Sequence, residues 1–114
     1  MTDLSAEDKK LVTLARATRA RIGAAEGAAA RDTDGRTYAA ATVDLPSLRL
    51  SAVQAVVAMA VASGASGVDA CVVLGESGAL ADADAAALGD VAGGSGVLVH
   101  TGDPRGAIGG SLSL

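Results

Sequence analysis

The sequence has no phenylalanine and no tryptophan, and Tyr38 is its single aromatic residue. Aromatic side chains usually dominate the burial of a core. Without them the core must come from Ala, Val, Leu and Ile, each of which removes less apolar area from water per ordered residue. A chain of 114 residues built this way is marginal alone, which predicts burial at a subunit interface and therefore a homo-oligomer. The single cysteine, Cys71, excludes an internal disulfide. There is no excess of basic residues: the net charge is −4, which argues against nucleic acid or an anionic membrane as a partner. No apolar run is long enough to span a bilayer, since the one from Leu50 to Ala62 is short and interrupted. The opening MTDLSAEDKK carries charges of both signs and no apolar signal region. These absences together predict a cytoplasmic protein forming one domain over residues 1–114.

What the chain does have is apolar character, at 50% of residues, which argues against disorder. It is densest from Leu48 to Ser63, LRLSAVQAVVAMAVAS, where only Arg49, Ser51, Gln54 and Ser63 are polar. The run is too continuous for strand alternation and too long for one buried strand. Ala and Met favour helix. Pro46-Ser47 supplies a start, through the capping hydroxyl of Ser47, and Ser63-Gly64 a stop. A helix apolar nearly all round must be covered on nearly all sides, so this stretch predicts a central buried helix.

The rest of the chain is ordered around it. Ser5 to about Ile22 predicts an amphipathic helix, with Ser5 and Asp8 at the spacing of a capping pair. Leu11, Leu14, Ala15, Thr18 and Ile22 share a face, while Lys9, Lys10, Arg16 and Arg19 lie mostly elsewhere and read as solvated. Gly27 to Val43 predicts a β-hairpin turning at Asp34-Gly35. Its Ala-rich arms are weak strand formers but would let a helix pack close. Val68 to Leu74 and Val97 to Thr101 predict buried strands, and Asp82 to Leu88 a short helix. From Gly102 onward the Gly-rich tail is weakly specified. The order α-β-β-α-β-α-β contains two strand-helix-strand steps, which predict parallel pairings in a mixed sheet covered by helices.

The strings Glu26-Gly27-Ala28-Ala29 and Asp32-Thr33-Asp34-Gly35-Arg36-Thr37-Tyr38, in this order and within this sequence of elements, resemble the small cytidine deaminase family. That family has a V-G-A-A strand, a D-G turn and a second strand running into N-x-E. A helix opening with C-A-E or H-A-E follows, and later P-C-x-x-C opens another helix. The resemblance covers roughly Leu11 to His100 and implies a three-layer α/β/α sandwich. It implies a zinc site too, because the family's cysteines or histidine hold the ion and the glutamate of C-A-E shuttles protons. Here Ser51-Ala52-Val53 takes the place of C-A-E, so that Ser51 replaces a ligand and Val53 the glutamate. Ala81 and Asp84 fall where the two later cysteines would be. The ribose-contacting Asn and Glu of N-x-E become Thr42 and Asp44, of which only Asp44 keeps its chemical type. Because family subunits bring their central helices together, the resemblance also implies a dimer or tetramer through the Leu48–Ser63 helix.

Zinc lowers the pKa of its bound water from about 15.7 to about 7, and Glu acts as general acid and base when the resulting hydroxide attacks cytosine C4. Loss of the ligands and the base together predicts a chain without zinc and without that catalysis. The reading that follows is an oligomeric scaffold or regulatory protein. A second is a nucleoside- or nucleotide-binding module that keeps Thr42 and Asp44. A third is a hydrolase with a rewired site. Other residues offer less. Cys71, in mid-strand, reads as an inert buried thiol. His100 stands alone, and no short ligand spacing joins it with Cys71 and Asp103 into a metal site. Gly93-Gly94-Ser95-Gly96 lacks the lysine and the following helix of a phosphate loop. Asp32 and Asp34 read as a solvated hairpin turn.

Overall fold

The computed structural model describes residues 4–114, so the first three residues of the opening MTDLSAEDKK lie outside the described residues. The first helix, α1 (Ala6–Ile22), starts where the Ser5 hydroxyl accepts the Asp8 N–H at 3.1 Å. The expected pair is only half formed: the Asp8 carboxylate turns inward to Arg31 and His100 instead of back to the cap. Leu11 and Ala15 are fully buried, whereas Ile22 at the far end is exposed. The hairpin strands β1 (Glu26–Asp32) and β2 (Thr37–Ala41) pair antiparallel around the expected turn, whose Gly35 has φ 87°. The small side chains let helices come close on both faces: the central helix packs on Ala28, Ala30 and Ala40, and α1 on Gly27 and Ala29. A Cβ at Gly27 would collide with the Ala15 carbonyl and the Arg19 side chain.

The predicted Leu48–Ser63 helix is shorter than expected. Leu48–Leu50 forms a strand, β4, paired antiparallel with β3 (Val43–Leu45), and Pro46-Ser47 is the turn between them rather than a helix start. The physical reason is a period-two pattern: Val43 and Leu50 pack against the core, Asp44 and Arg49 oppose each other at the surface, and proline's fixed φ suits a turn. The helix itself, α2, spans Ala52–Ala62. Ser51 caps it in a reciprocal box with Gln54, an S-x-x-Q signature present in the sequence.

The remaining elements are β5 (Val68–Gly75), α3 (Asp82–Asp90), β6 (Leu98–Gly102) and β7 (Ile108–Ser113). The last of these arises from the weakly specified tail, because pairing with β6 supplies the order that its glycines withhold. The five-stranded sheet runs β2-β1-β5-β6-β7. In this sheet β5 and β6 pair in parallel; β2 and β5 also run in the same direction, but β1 lies between them, antiparallel to both, so the other expected parallel pairing does not form.

The two sheet faces bury different helices. Ala29, Ala70, Val72 and Leu74 pack with Leu11 and Ala15 of α1. Ala28, Ala30, Cys71, Val73 and Val99 pack with Val53, Val56 and Ala60 of α2 and Leu88 of α3. The result is a three-layer α/β/α sandwich with a mixed sheet.

Candidate functional site

The N-termini of α2 and α3 converge. Ser51 Oγ, while capping α2, donates to Asp84 Oδ1 at 2.6 Å. Asp84 is buried in the first turn of α3, where a negative charge faces free N–H groups. Val53, the second residue of α2, is 0% exposed and packs in the α2–α3 core. Ala81 is the N-cap residue of α3 and offers no side-chain hydrogen bond. Beneath the pair lies Cys71: burial, with a further push from the charge of Asp84, raises its thiol to about 12. It stays a neutral thiol at any ordinary pH and behaves as a small apolar side chain.

Thr42 and Asp44 are occupied elsewhere. The Thr42 hydroxyl accepts the Glu26 N–H at 2.9 Å and fastens the end of β2 to β1. Asp44 is exposed and pairs with Arg49 across the β3–β4 hairpin at 3.4 Å. The expected solvated turn at Asp32 is instead a buried one. Its carboxylate accepts from the Asp34 and Arg36 N–H groups, from Arg36 Nε and, at 2.7 Å, from the Tyr38 hydroxyl. Burial pushes the Asp32 carboxyl upward, but Tyr38, the two backbone N–H groups and the Arg36 charge together hold it below the usual value. Arg19, expected in solvent, is half-buried and donates to the Ala24 carbonyl. In the glycine run at 93–96, Gly93 packs against Thr33, where an added Cβ would press into the threonine methyl.

One constellation escaped the sequence. His100 is buried on the α1 face, its Nε2 2.8 Å from Asp8 Oδ2 and its Nδ1 2.6 Å from Ser111 Oγ. Asp8 also accepts from Arg31 at 3.0 Å, and Arg31 reaches on to Asp69 at 3.2 Å. Burial raises the Asp8 carboxyl, but hydrogen bonds from His100 and Arg31 and their charges outweigh it and leave a net lowering. The same geometry removes the mixed site of Cys71, His100 and Asp103. Cys71 faces α2 and α3, His100 faces α1, and Asp103 caps its own loop through the Arg105 and Ala107 N–H groups. No local signal marks this line, because Asp8 lies 92 residues from His100.

A family model described as cytidine deaminase-like matches residues 4–106. The chain belongs to the cytidine deaminase-like family. Its fold is that of cytidine deaminase from Burkholderia pseudomallei, with 21% identity, a TM-score of 0.79 and coverage of 96% of this chain and 93% of that one. Cytidine deaminase from Mycobacterium leprae is similar at 22% identity and a TM-score of 0.72, over 97% and 94% of the two chains. A point mutant of cytidine deaminase from Mycobacterium tuberculosis is 27% identical with a TM-score of 0.69, over 85% of each chain. No curated protein matches the sequence.

For a cytidine deaminase-like chain, the family's zinc would sit where α2 and α3 converge. The donors there are a hydroxyl at Ser51, a methyl at Ala81 and a carboxylate at Asp84. A zinc site needs three or four Cys, His or carboxylate ligands, so this set does not fit the ion. Among the described residues no group of three or more His, Cys, Asp and Glu could hold a metal, and no helix is long and apolar enough to cross a membrane.

Proposed function

We propose that this cytidine deaminase-like chain is a homologue that is non-catalytic at the α2–α3 junction and acts as an oligomeric scaffold or regulatory protein. One observation carries the reading: the Ser51 hydroxyl donates to Asp84 at 2.6 Å. The two positions assigned to zinc ligands satisfy each other directly, and Val53 fills the place of the proton shuttle with a side chain that carries no proton. Where the family would join two helix N-termini through an ion, this chain joins them through a hydroxyl and a carboxylate.

The oligomer would form through α2. Its outer face presents Ala58, Met59, Val61 and Ala62 to solvent, with Met59 42% and Val61 56% exposed. The β3–β4 hairpin adds exposed Leu45 and Leu48. Apolar residues on one face of an almost wholly apolar helix suit a second copy of the same surface, and burying them would relieve the shortage of large core side chains. A cytoplasmic location accords with a lone, buried and reduced Cys71.

The test is zinc content and cytidine deamination measured on one metal-replete preparation. The expected result is a zinc-to-protein ratio near zero and no loss of cytidine absorbance. Turnover of cytidine would end the non-catalytic reading. A cytidine- or uridine-dependent rise in melting temperature, lost in Asp44→Ala, would replace the scaffold with a nucleoside-binding module.

A further inference from the structure

We infer that Ser111, His100 and Asp8 form a second site, independent of the α2–α3 junction, in which Ser111 is an activated nucleophile toward small activated acyl compounds. A nucleophile touching a base that is oriented by a buried carboxylate is the recurring arrangement of serine acyl transfer on unrelated folds, recognised by geometry rather than by order in the chain. Both contacts are present here, at 2.6 and 2.8 Å, with the two ring nitrogens in exchanged roles, Nδ1 on the hydroxyl and Nε2 on the carboxylate, and Arg31 holds the carboxylate in turn. In the tautomer that donates Nε2–H to Asp8, the ring accepts the Ser111 O–H at Nδ1. The tie between α1 and β6 runs through Nε2, and the buried Nδ1 needs a partner of its own. The second ring nitrogen is given to a hydroxyl on an exposed residue.

The strand pairing explains the contact and supplies a further group. Val97 and Leu114 exchange both backbone bonds, at 3.2 and 2.9 Å. Antiparallel pairs alternate, so Val99/Leu112 and Thr101/Gly110 continue that set, while His100 and Ser111 oppose each other as a non-hydrogen-bonded pair. Such pairs bring side chains closest. They also aim the Ser111 N–H away from β6, toward the open edge of the sheet. A nucleophile's own N–H is well placed to stabilise the oxyanion that forms when its hydroxyl attacks.

The chemistry balances without a cofactor. Ser111 Oγ bonds to the carbonyl carbon of an activated ester as its proton passes to His100 Nδ1. The bond to the leaving alcohol breaks, and that oxygen takes the proton from the ring. Water then attacks the acyl-serine, giving its proton to His100, and Ser111 recovers the proton as the acid departs. One ester and one water yield one acid and one alcohol.

The experiment treats the full chain with a fluorophosphonate and maps the adduct by mass spectrometry, beside turnover of p-nitrophenyl acetate. One adduct on Ser111 is expected, with none on Ser113, an exposed serine of the same strand that lies opposite Leu98 rather than a histidine. Ser111→Ala should abolish adduct and turnover, and His100→Gln should slow both by about 10²–10⁴-fold. Urea-unfolded chain should give no adduct, which serves in place of His100→Gln should that variant not fold. An adduct elsewhere, no adduct, or equal labelling of Ser111 in the folded His100→Gln variant or in urea would overturn the assignment.

Discussion

Ser51 Oγ and Asp84 Oδ1 are 2.6 Å apart, and the same oxygen of Ser51 accepts the Gln54 N–H at 3.0 Å. One hydroxyl therefore caps α2 and binds α3.

Ser51→Ala removes a cap, at about 1 kcal/mol, and leaves a buried carboxylate without its donor, at about 1–3 kcal/mol. The expected loss is about 2–4 kcal/mol in denaturant unfolding. Adding Asp84→Ala to it should cost less than the two single losses summed, because the second change removes the orphaned charge.

Ser51→Cys, Ala81→Cys and Asp84→Cys together place three thiolates at the two helix N-termini. The triple variant should take up one zinc per chain, read by metal analysis and by the thiolate absorption of its cobalt form. A triple variant that stays metal-free in folded form would show that these are not the ligand positions.

Acid sensitivity should trace to Asp8 and Asp32. Both carboxyls are held below their ordinary value of 3.8 in the folded chain. Their contribution is therefore present above pH 3.8 and is lost as pH falls from there through their lower folded values. Asp32→Asn should flatten the acid limb of stability against pH while lowering the plateau near neutrality.

Alkali acts through Cys71. The folded thiol ionises near 12 and the unfolded thiol near 9, so stability should decline as pH climbs past 9. Cys71→Ser would shed that decline. At pH 8, a thiol reagent should titrate Cys71 only after unfolding, and prompt reaction of native protein would contradict its burial.

Val61→Glu places a charge on the exposed face of α2 without touching the core. Light scattering after size exclusion should report smaller particles than for the unaltered chain, with the fold retained by circular dichroism. An unchanged mass would move the interface away from α2.

The sequence by itself determined the helix over Ala6–Ile22, the hairpin at Asp34-Gly35 and the two buried strands. Each is carried by local pattern: periodicity or turn chemistry. The β3–β4 hairpin was legible too, in the alternation of Leu48-Arg49-Leu50, but the apolar run beside it masked that pattern. Only the tertiary structure decided the rest. The strand at Ile108–Ser113 exists because β6 offers it a partner, not because its glycines favour extension. The antiparallel docking of β5 on β1 is a long-range choice that no local window contains. The line from Asp8 through His100 to Ser111 joins a helix to two strands far along the chain, and burial on the α1 face sets its contacts. Local propensity reaches a few residues, whereas hydrogen-bond partners and burial belong to the assembled sheet.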